Sequence, residues 1–278
     1  MKSEQEKRGD LTVTALYTAQ VWKWAGFDGG ELFGTRRGRD VFNATNLSLG
    51  ITRVFRRGLP LLRHSLAQRH AMIDALVAES ECTQVLELAA GLSRRGAALS
   101  TDPELHYVEV DLPAVVTHKR DLLMRSERGR AVAARDNLRM LEGDALTMEF
   151  EDALCDGPVC VIAEGLLMYL DAAAQQQLWK RLATVCANHP GSSLVFDLVP
   201  FCEQPKPGAF GRSLRWLFKQ LTGGADFAFD DRSRDDLVAE LRACGFADVA
   251  LFEPATAPER WVVPFENKHT QTLVFHCR

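Results

Sequence analysis

Four acids, Glu87, Asp111, Asp144 and Glu164, each lie in or just after a short apolar run, in the segments LELAAG, YVEVDLP, LEGDAL and VIAEGLL. A carboxylate so placed is costly to bury unless it meets donors or a cation. Any one of them suits a helix cap or a solvated position, and Asp111 before Leu112-Pro113 is the plainest case. Four at consecutive runs suggest the rim of a site for a ligand rich in donors and positive charge. Beside the first acid, Ala89-Ala90-Gly91 strips side chains away and permits close backbone approach. Asp111 falls 20 residues beyond Gly91, the spacing at which an acid on the next strand can accept from ribose hydroxyls. A dinucleotide pyrophosphate would want GxGxxG, whereas only Gly91 and Gly96 are present, and the carboxylates would repel it. A nucleoside with a cationic tail fits better. S-adenosylmethionine carries ribose, an adenine amino group, a sulfonium and an ammonium.

The carboxylate of such a ligand still needs a cation. In LLRHSLAQRHAMIDALV, residues 61–77, Leu62, Leu66, Ile73 and Leu76 mark one helical face, and Arg69 falls inside that stripe. A guanidinium there needs an anion or must carry its head out to water. A structural acid, a snorkelled head and a ligand carboxylate all answer that need.

Placing these residues together takes a sheet. Strands are predicted over Thr83–Leu88, His106–Val110, Leu138–Leu141, Val159–Ala163, Ser193–Val199, Val249–Phe252 and Thr272–His276. Helices are predicted over Pro113–Glu127, Asp171–Ala187 and Arg234–Cys244, with Pro in the first turn of one and Gly245 ending another. Continuous apolar strands alternating with helices read as an α/β fold, a doubly wound, mostly parallel seven-stranded sheet. The last two strands lack a helix between them, so the final one should return antiparallel. In such sheets ligands bind outside the carboxyl ends of the strands, where the four acids fall. Residues 1–80 read as a helical substrate-side segment and 81–278 as the α/β unit, together one compact body. The stretch from about 200 to 231 is too long for a plain connection and reads as an inserted cap. Its Phe210, Trp216, Phe218, Phe227 and Phe229 suit either core packing or closure over an apolar compound.

Composition narrows the partners. The 278 residues carry a net charge of −4, so bulk charge does not suggest a polyanion binder. Residues 35–69 nevertheless hold eight arginines (36, 37, 39, 53, 56, 57, 63 and 69) against one acid, Asp40. A solvated basic face, an anionic small substrate and RNA are readings in that order, because no aromatics interleave for base stacking. Seven cysteines without a CxxC support neither a disulfide framework nor a metal site. No apolar run approaches the ~20 residues of a membrane span, and MKSEQEKRGD is too polar for a signal peptide. A cytoplasmic setting is expected; oligomeric state is unreadable.

Taken as a set, LELAAGLSRRGAALS, YVEVDLPAVVTHKRDLL, LEGDAL, AEGLLMYL and LVFDLVP resemble the leucine carboxyl methyltransferase family, a class I S-adenosylmethionine-dependent branch that includes bacterial enzymes of secondary metabolism. The match covers roughly residues 60–200. The resemblance implies that Glu87, Ala89 and Gly91 lie along the cofactor's methionine portion and that Asp111 holds the ribose hydroxyls. Asp144 and the backbone of Ala145 would read the adenine edge, Glu164 would face the ammonium, and Arg69 would take the carboxylate. The chain departs from the family pattern at Ala89, where glycine is usual, and at Ser93, where an acid is usual.

The expected reaction is O-methylation of a carboxylate or hydroxyl of a small molecule. Methyl transfer from a sulfonium is an in-line displacement that mainly requires positioning and exclusion of water. A carboxylate acceptor needs no base; an alcohol or phenol does. No catalytic base stands out, since His64, His70, His269 and His276 read as structural or exposed. RNA methylation through the basic region and nicotinamide-dependent oxidation are the rival readings.

Overall fold

The computed structural model describes residues 4–55, 61–200, 232–263 and 273–278. Three helices come first: α1 (Glu4–Ala25), α2 (Arg36–Phe55) and α3 (Leu62–Ala78). There follow β1 (Gln84–Leu88), α4 (Arg95–Leu99), β2 (His106–Asp111), α5 (Pro113–Leu123), α6 (Glu127–Ala133) and β3 (Leu138–Glu142). The remainder comprises β4 (Val159–Ala163), α7 (Ala172–Asn188), β5 (Ser193–Asp197), α8 (Arg234–Cys244), β6 (Val249–Phe252) and β7 (Val274–Cys277).

The seven strands stand in the order β3-β2-β1-β4-β5-β7-β6. β1 to β5 run parallel, and β7 enters between β5 and β6 antiparallel to both. Chain order reverses between β1 and β4, which opens a crevice at their carboxyl ends. β1, β4 and β5 are buried along their whole length, so they read as apolar runs and not as alternations.

The period of two still sorts their side chains into two layers. Leu86, Leu88, Val161 and Phe196 face Leu178, Trp179 and Leu182 of α7 and Leu237 and Leu241 of α8. Val85, Tyr107, Ile162 and Val195 face Met72, Ile73 and Leu76 of α3, Leu16 of α1 and Leu122 of α5. Each fully buried Leu or Ile contributes roughly 1.5–3 kcal/mol. Glu87, two residues beyond Val85, therefore points to the α3 side of the sheet.

Three expectations are corrected. The helix expected over Pro113–Glu127 ends at Leu123, and a second begins at Glu127. Ser126 caps that second helix by accepting from the Gly129 N–H at 3.0 Å. The strand expected over Ser193–Val199 ends at Asp197, whose carboxylate turns back into the crevice. The basic stretch does not make one face: Arg69 is buried and Arg63 lies over the Trp24 ring at 4.9 Å. Arg36, Arg37 and Arg39 are exposed at the start of α2, and Arg56 and Arg57 lie outside the described residues. The expected cap, with its five aromatics, also lies outside them, as does His269.

Candidate cofactor site

The crevice is built on two matching clasps. After β1 the chain turns through Ala89 at φ 50 and Gly91 at φ 53. The Gly91 N–H donates to Asp111 Oδ2 at 2.6 Å, and Asp111 Oδ1 accepts from the Leu112 N–H at 2.7 Å. After β4 the chain turns through Gly165 at φ 69, whose N–H donates to Asp197 Oδ1 at 2.6 Å. In each clasp the acid sits at the end of the neighbouring outer strand. Gly91 meets the φ requirement without strain; Ala89 is the one described non-glycine residue with positive φ, which costs roughly 1–2 kcal/mol. A Cβ on Gly91 would meet nothing closer than the Ala15 methyl at 3.8 Å. α1 thus passes directly over the turn.

Arg69 joins the second clasp to α3. Its Nε donates to Glu164 Oε1 at 2.9 Å and its Nη1 to Asp197 Oδ2 at 2.8 Å. The cation that the apolar stripe required to be paired is paired with two acids of the chain itself. The two carboxylates differ in environment. Burial alone would raise the Glu164 carboxyl, but Arg95, His70 and Arg69 together hold it well below the usual range. Among the described residues Asp197 meets Arg69 and the Gly165 N–H, and burial pushes its carboxyl up. Tyr169 reaches the same place, hydrogen-bonded to Thr14 of α1 and close to Arg69 and Asp197, its hydroxyl pushed up by burial.

Beneath this lies a layer of charges that motif matching alone did not reveal. Arg95 is fully buried. It spans Asp74 Oδ1 at 2.6 Å, Glu87 Oε1 at 2.8 Å and Glu164 Oε2 at 2.6 Å. Arg94 pairs with Asp74, and its guanidinium lies over the Phe27 ring at 5.0 Å. A chain segment that loses an acid at Ser93 thus supplies two inward arginines directly afterwards.

The expected site residues divide accordingly. Ala89, Gly91, Asp111, Glu164 and Arg69 gather at the crevice. Asp144 is exposed on the loop after β3, its Oδ1 accepting from the Leu146 N–H at 2.9 Å. Ala145 beside it is buried, its carbonyl accepting from Arg181 Nη1 at 3.1 Å. Glu87 is corrected: it does not stand at the rim. It is buried under α4, bonded to Arg95 and to the Tyr107 hydroxyl at 2.8 Å, because strand alternation turns it inward. Asp197 was missed, although it carries the same signal of an acid closing an apolar run, in LVFDLVP. His70, Asp74, Arg94 and Arg95 had no such signal beyond the proximity of arginines to a strand-end acid. Among the described residues no group of His, Cys, Asp and Glu is placed to hold a metal, and no helix is long and apolar enough to cross a membrane.

This strand order, with an antiparallel penultimate position and an acid-lined crevice between β1 and β4, is that of the class I S-adenosylmethionine-dependent methyltransferases. Two solved structures share the fold. One is a Bordetella parapertussis protein described as a possible exported protein (TM-score 0.54, 18% identity, 100% of this chain and 99% of that one). The other is an O-methyltransferase family protein from Burkholderia thailandensis (TM-score 0.50, 15% identity, 96% and 71%). Residues 31–183, more than half the chain, match the leucine carboxyl methyltransferase family model, and the chain belongs to that family. A Mycobacterium avium relative described as an S-adenosyl-L-methionine-dependent methyltransferase is 29% identical over 207 residues, 69% of this chain and 64% of its own length. The tetracenomycin polyketide synthesis O-methyltransferase TcmP of Streptomyces glaucescens is 29% identical over 116 residues, 41% of this chain and 38% of its own. The matches therefore span less than two thirds of these relatives.

Proposed function

We propose that the protein is an S-adenosylmethionine-dependent O-methyltransferase acting on a carboxylate or hydroxyl of a small molecule. The observation that carries this reading is the donor set around the switch point. Two left-handed turns bring bare backbone to the crevice, Asp111 and Glu164 offer carboxylates on either side, and Arg69 supplies one guanidinium. The groups fit the cofactor: acceptors for ribose hydroxyls and an ammonium, a cation for a carboxylate, and no phosphate cradle. Ala89 to Gly91 would lie along the methionine portion, Asp111 would take the ribose, and Asp144 with the backbone of Ala145 the adenine edge. Glu164 and Arg69 would divide the charged amino-acid end. When bound, the cofactor supplies an electrophilic methyl group on sulfur. The chain's own part is to fix the ligand's ends and, through α1 passing over Gly91, to shield the turn from water.

An oxygen acceptor is supported by the family and by the named chemistry of TcmP. A small molecule is favoured over RNA because Arg63 and Arg69 turn inward. Two measurements test the function. S-adenosylhomocysteine, but not NAD or NADP, should raise the melting temperature, since a ligand at ~100 times its Kd adds ~2.7 kcal/mol. Labelled methyl should then pass to small carboxylates or phenols and not to tRNA, with alkali-labile label marking an ester and alkali-stable label an ether. Stabilisation by a nicotinamide alone, or label on tRNA alone, would overturn the assignment.

A further inference from the structure

His70 is assigned no contact with the cofactor above, yet its ring is fully buried and both nitrogens are engaged. Trp22 of α1 stacks on it with centroids 3.9 Å apart and planes 19° from parallel, and Phe27 leans against it at 5.3 Å. These aromatics fix the ring plane. Its Nε2 accepts from Arg94 Nε–H at 3.1 Å, and its Nδ1 lies 2.9 Å from Glu164 Oε2.

The contacts define the tautomer. A proton on Nε2 would set two N–H groups against each other across the 3.1 Å contact with Arg94, so the proton of the neutral ring belongs on Nδ1. Arg95 Nη2 also lies 2.9 Å from Nδ1. That Nη2 donates to the His70 carbonyl at 3.2 Å and is ion-paired with Glu164 Oε2 at 2.6 Å, so it does not depend on Nδ1 as an acceptor. Nδ1–H is thus free to donate to Glu164 Oε2. Burial, with Arg95 and Arg94 alongside, keeps the ring neutral by lowering its pKa well below the ordinary value.

The consequence falls on Glu164. Oε2 is engaged by the Arg95 ion pair and by His70, while Oε1 meets Arg69 alone among the hydrogen bonds described for it. We propose that His70, its tautomer set by Arg94, is a positioning residue that orients the Glu164 carboxylate so that Oε1 is the oxygen offered to a ligand's ammonium. The inference rests on the cofactor reading above.

The test compares two ligands by calorimetry. S-adenosylhomocysteine carries the ammonium; 5′-methylthioadenosine keeps the nucleoside and sulfur but lacks the amino-acid end. His70→Leu should weaken the first by about tenfold or more and leave the second unchanged, and His70→Gln, which restores an N–H donor, should recover most of the loss. Imidazole ¹⁵N spectra of the unaltered protein read the tautomer without any substitution: Nδ1 should carry the proton and Nε2 none. The opposite tautomer would overturn the proposal. So would His70→Leu weakening both ligands alike, or neither, in a protein whose wild type binds both. Wild-type protein that binds neither ligand would overturn the cofactor reading and the proposal with it.

Discussion

Arg69 and Glu164 are joined by a 2.9 Å bond from Nε to Oε1, which fastens the middle of α3 to the carboxyl end of β4. The same guanidinium holds Asp197 at 2.8 Å. Arg69→Met should therefore destabilise the unliganded protein by ~3–5 kcal/mol, the usual cost of stranding a buried charge. Glu164 keeps Arg95 and His70, so Asp197 is the stranded group. Its carboxyl already lies above the ordinary value because of burial, and loss of Arg69 raises it further. The penalty grows as pH rises from the unfolded-state value to that folded-state pKa, is complete above it, and shrinks as pH falls back through that window. Urea unfolding at pH 7.5 and pH 5 should show the larger cost at pH 7.5; an equal cost at both would mean that lost packing is responsible. S-adenosylhomocysteine should also bind more weakly to the variant.

Asp111 separates scaffold from site. Asp111→Asn keeps one acceptor for the Gly91 or Leu112 N–H, so unfolding free energy should fall by no more than ~1 kcal/mol. S-adenosylhomocysteine should lose ~1.5–3 kcal/mol of binding, the range of a hydrogen bond to a charged group. Calorimetry showing full affinity would assign Asp111 to turn support alone.

Ala89 is strained at φ 50. Ala89→Gly relieves about 1–2 kcal/mol of left-handed backbone cost, offset in part by ~0.5–1 kcal/mol of added unfolded-state entropy. The net expectation is a small rise in melting temperature. Ala89→Val, β-branched at positive φ, should lower it clearly. A fall with glycine would show that the methyl group packs usefully.

Glu109 and Lys119 form a buried pair 2.7 Å apart, but at angles that leave neither with a proper hydrogen bond. Burial pushes the Glu109 carboxyl from 4.5 up to about 7 against the pull of Lys119. Between those values the folded state holds a proton that the unfolded state has released, so this group's contribution falls as pH rises through the window. Glu109→Gln with Lys119→Met should stabilise the protein at pH 8 by ~1–4 kcal/mol and flatten stability between pH 5 and pH 8. Destabilisation of the double variant at pH 8 would show that the ion pair contributes favourably.

Much of this architecture was readable from residues alone, for identifiable reasons. The strand cores lay within short, largely apolar runs, and the acids closing the β2 and β4 segments, Asp111 and Glu164, marked the crevice. Glu87 misled because a strand-end acid and an inward-facing strand acid look alike until the alternation is anchored by partners such as Arg95 and Tyr107. α4 escaped because one and a half turns of RGAAL carry no periodicity. α6 escaped because the Ser126 cap lies inside a stretch that otherwise continues as helix. The Arg69 position required an anion but could not say which; only the fold brings Glu164 and Asp197, 95 and 128 residues away in sequence, to one guanidinium.

The paired clasps have a spectroscopic consequence. Gly91 and Gly165 each donate a backbone N–H to a carboxylate at 2.6 Å, a distance short even for charge-assisted bonds. Such protons resonate far downfield and exchange slowly with solvent. Both should stand apart in a proton–nitrogen correlation spectrum, one on each side of the switch point. A ligand that draws on Asp111 must perturb the first, and one that draws on Asp197 the second. The resting crevice thus carries two built-in reporters, and unlabelled compounds can be sorted by the half of the site they engage.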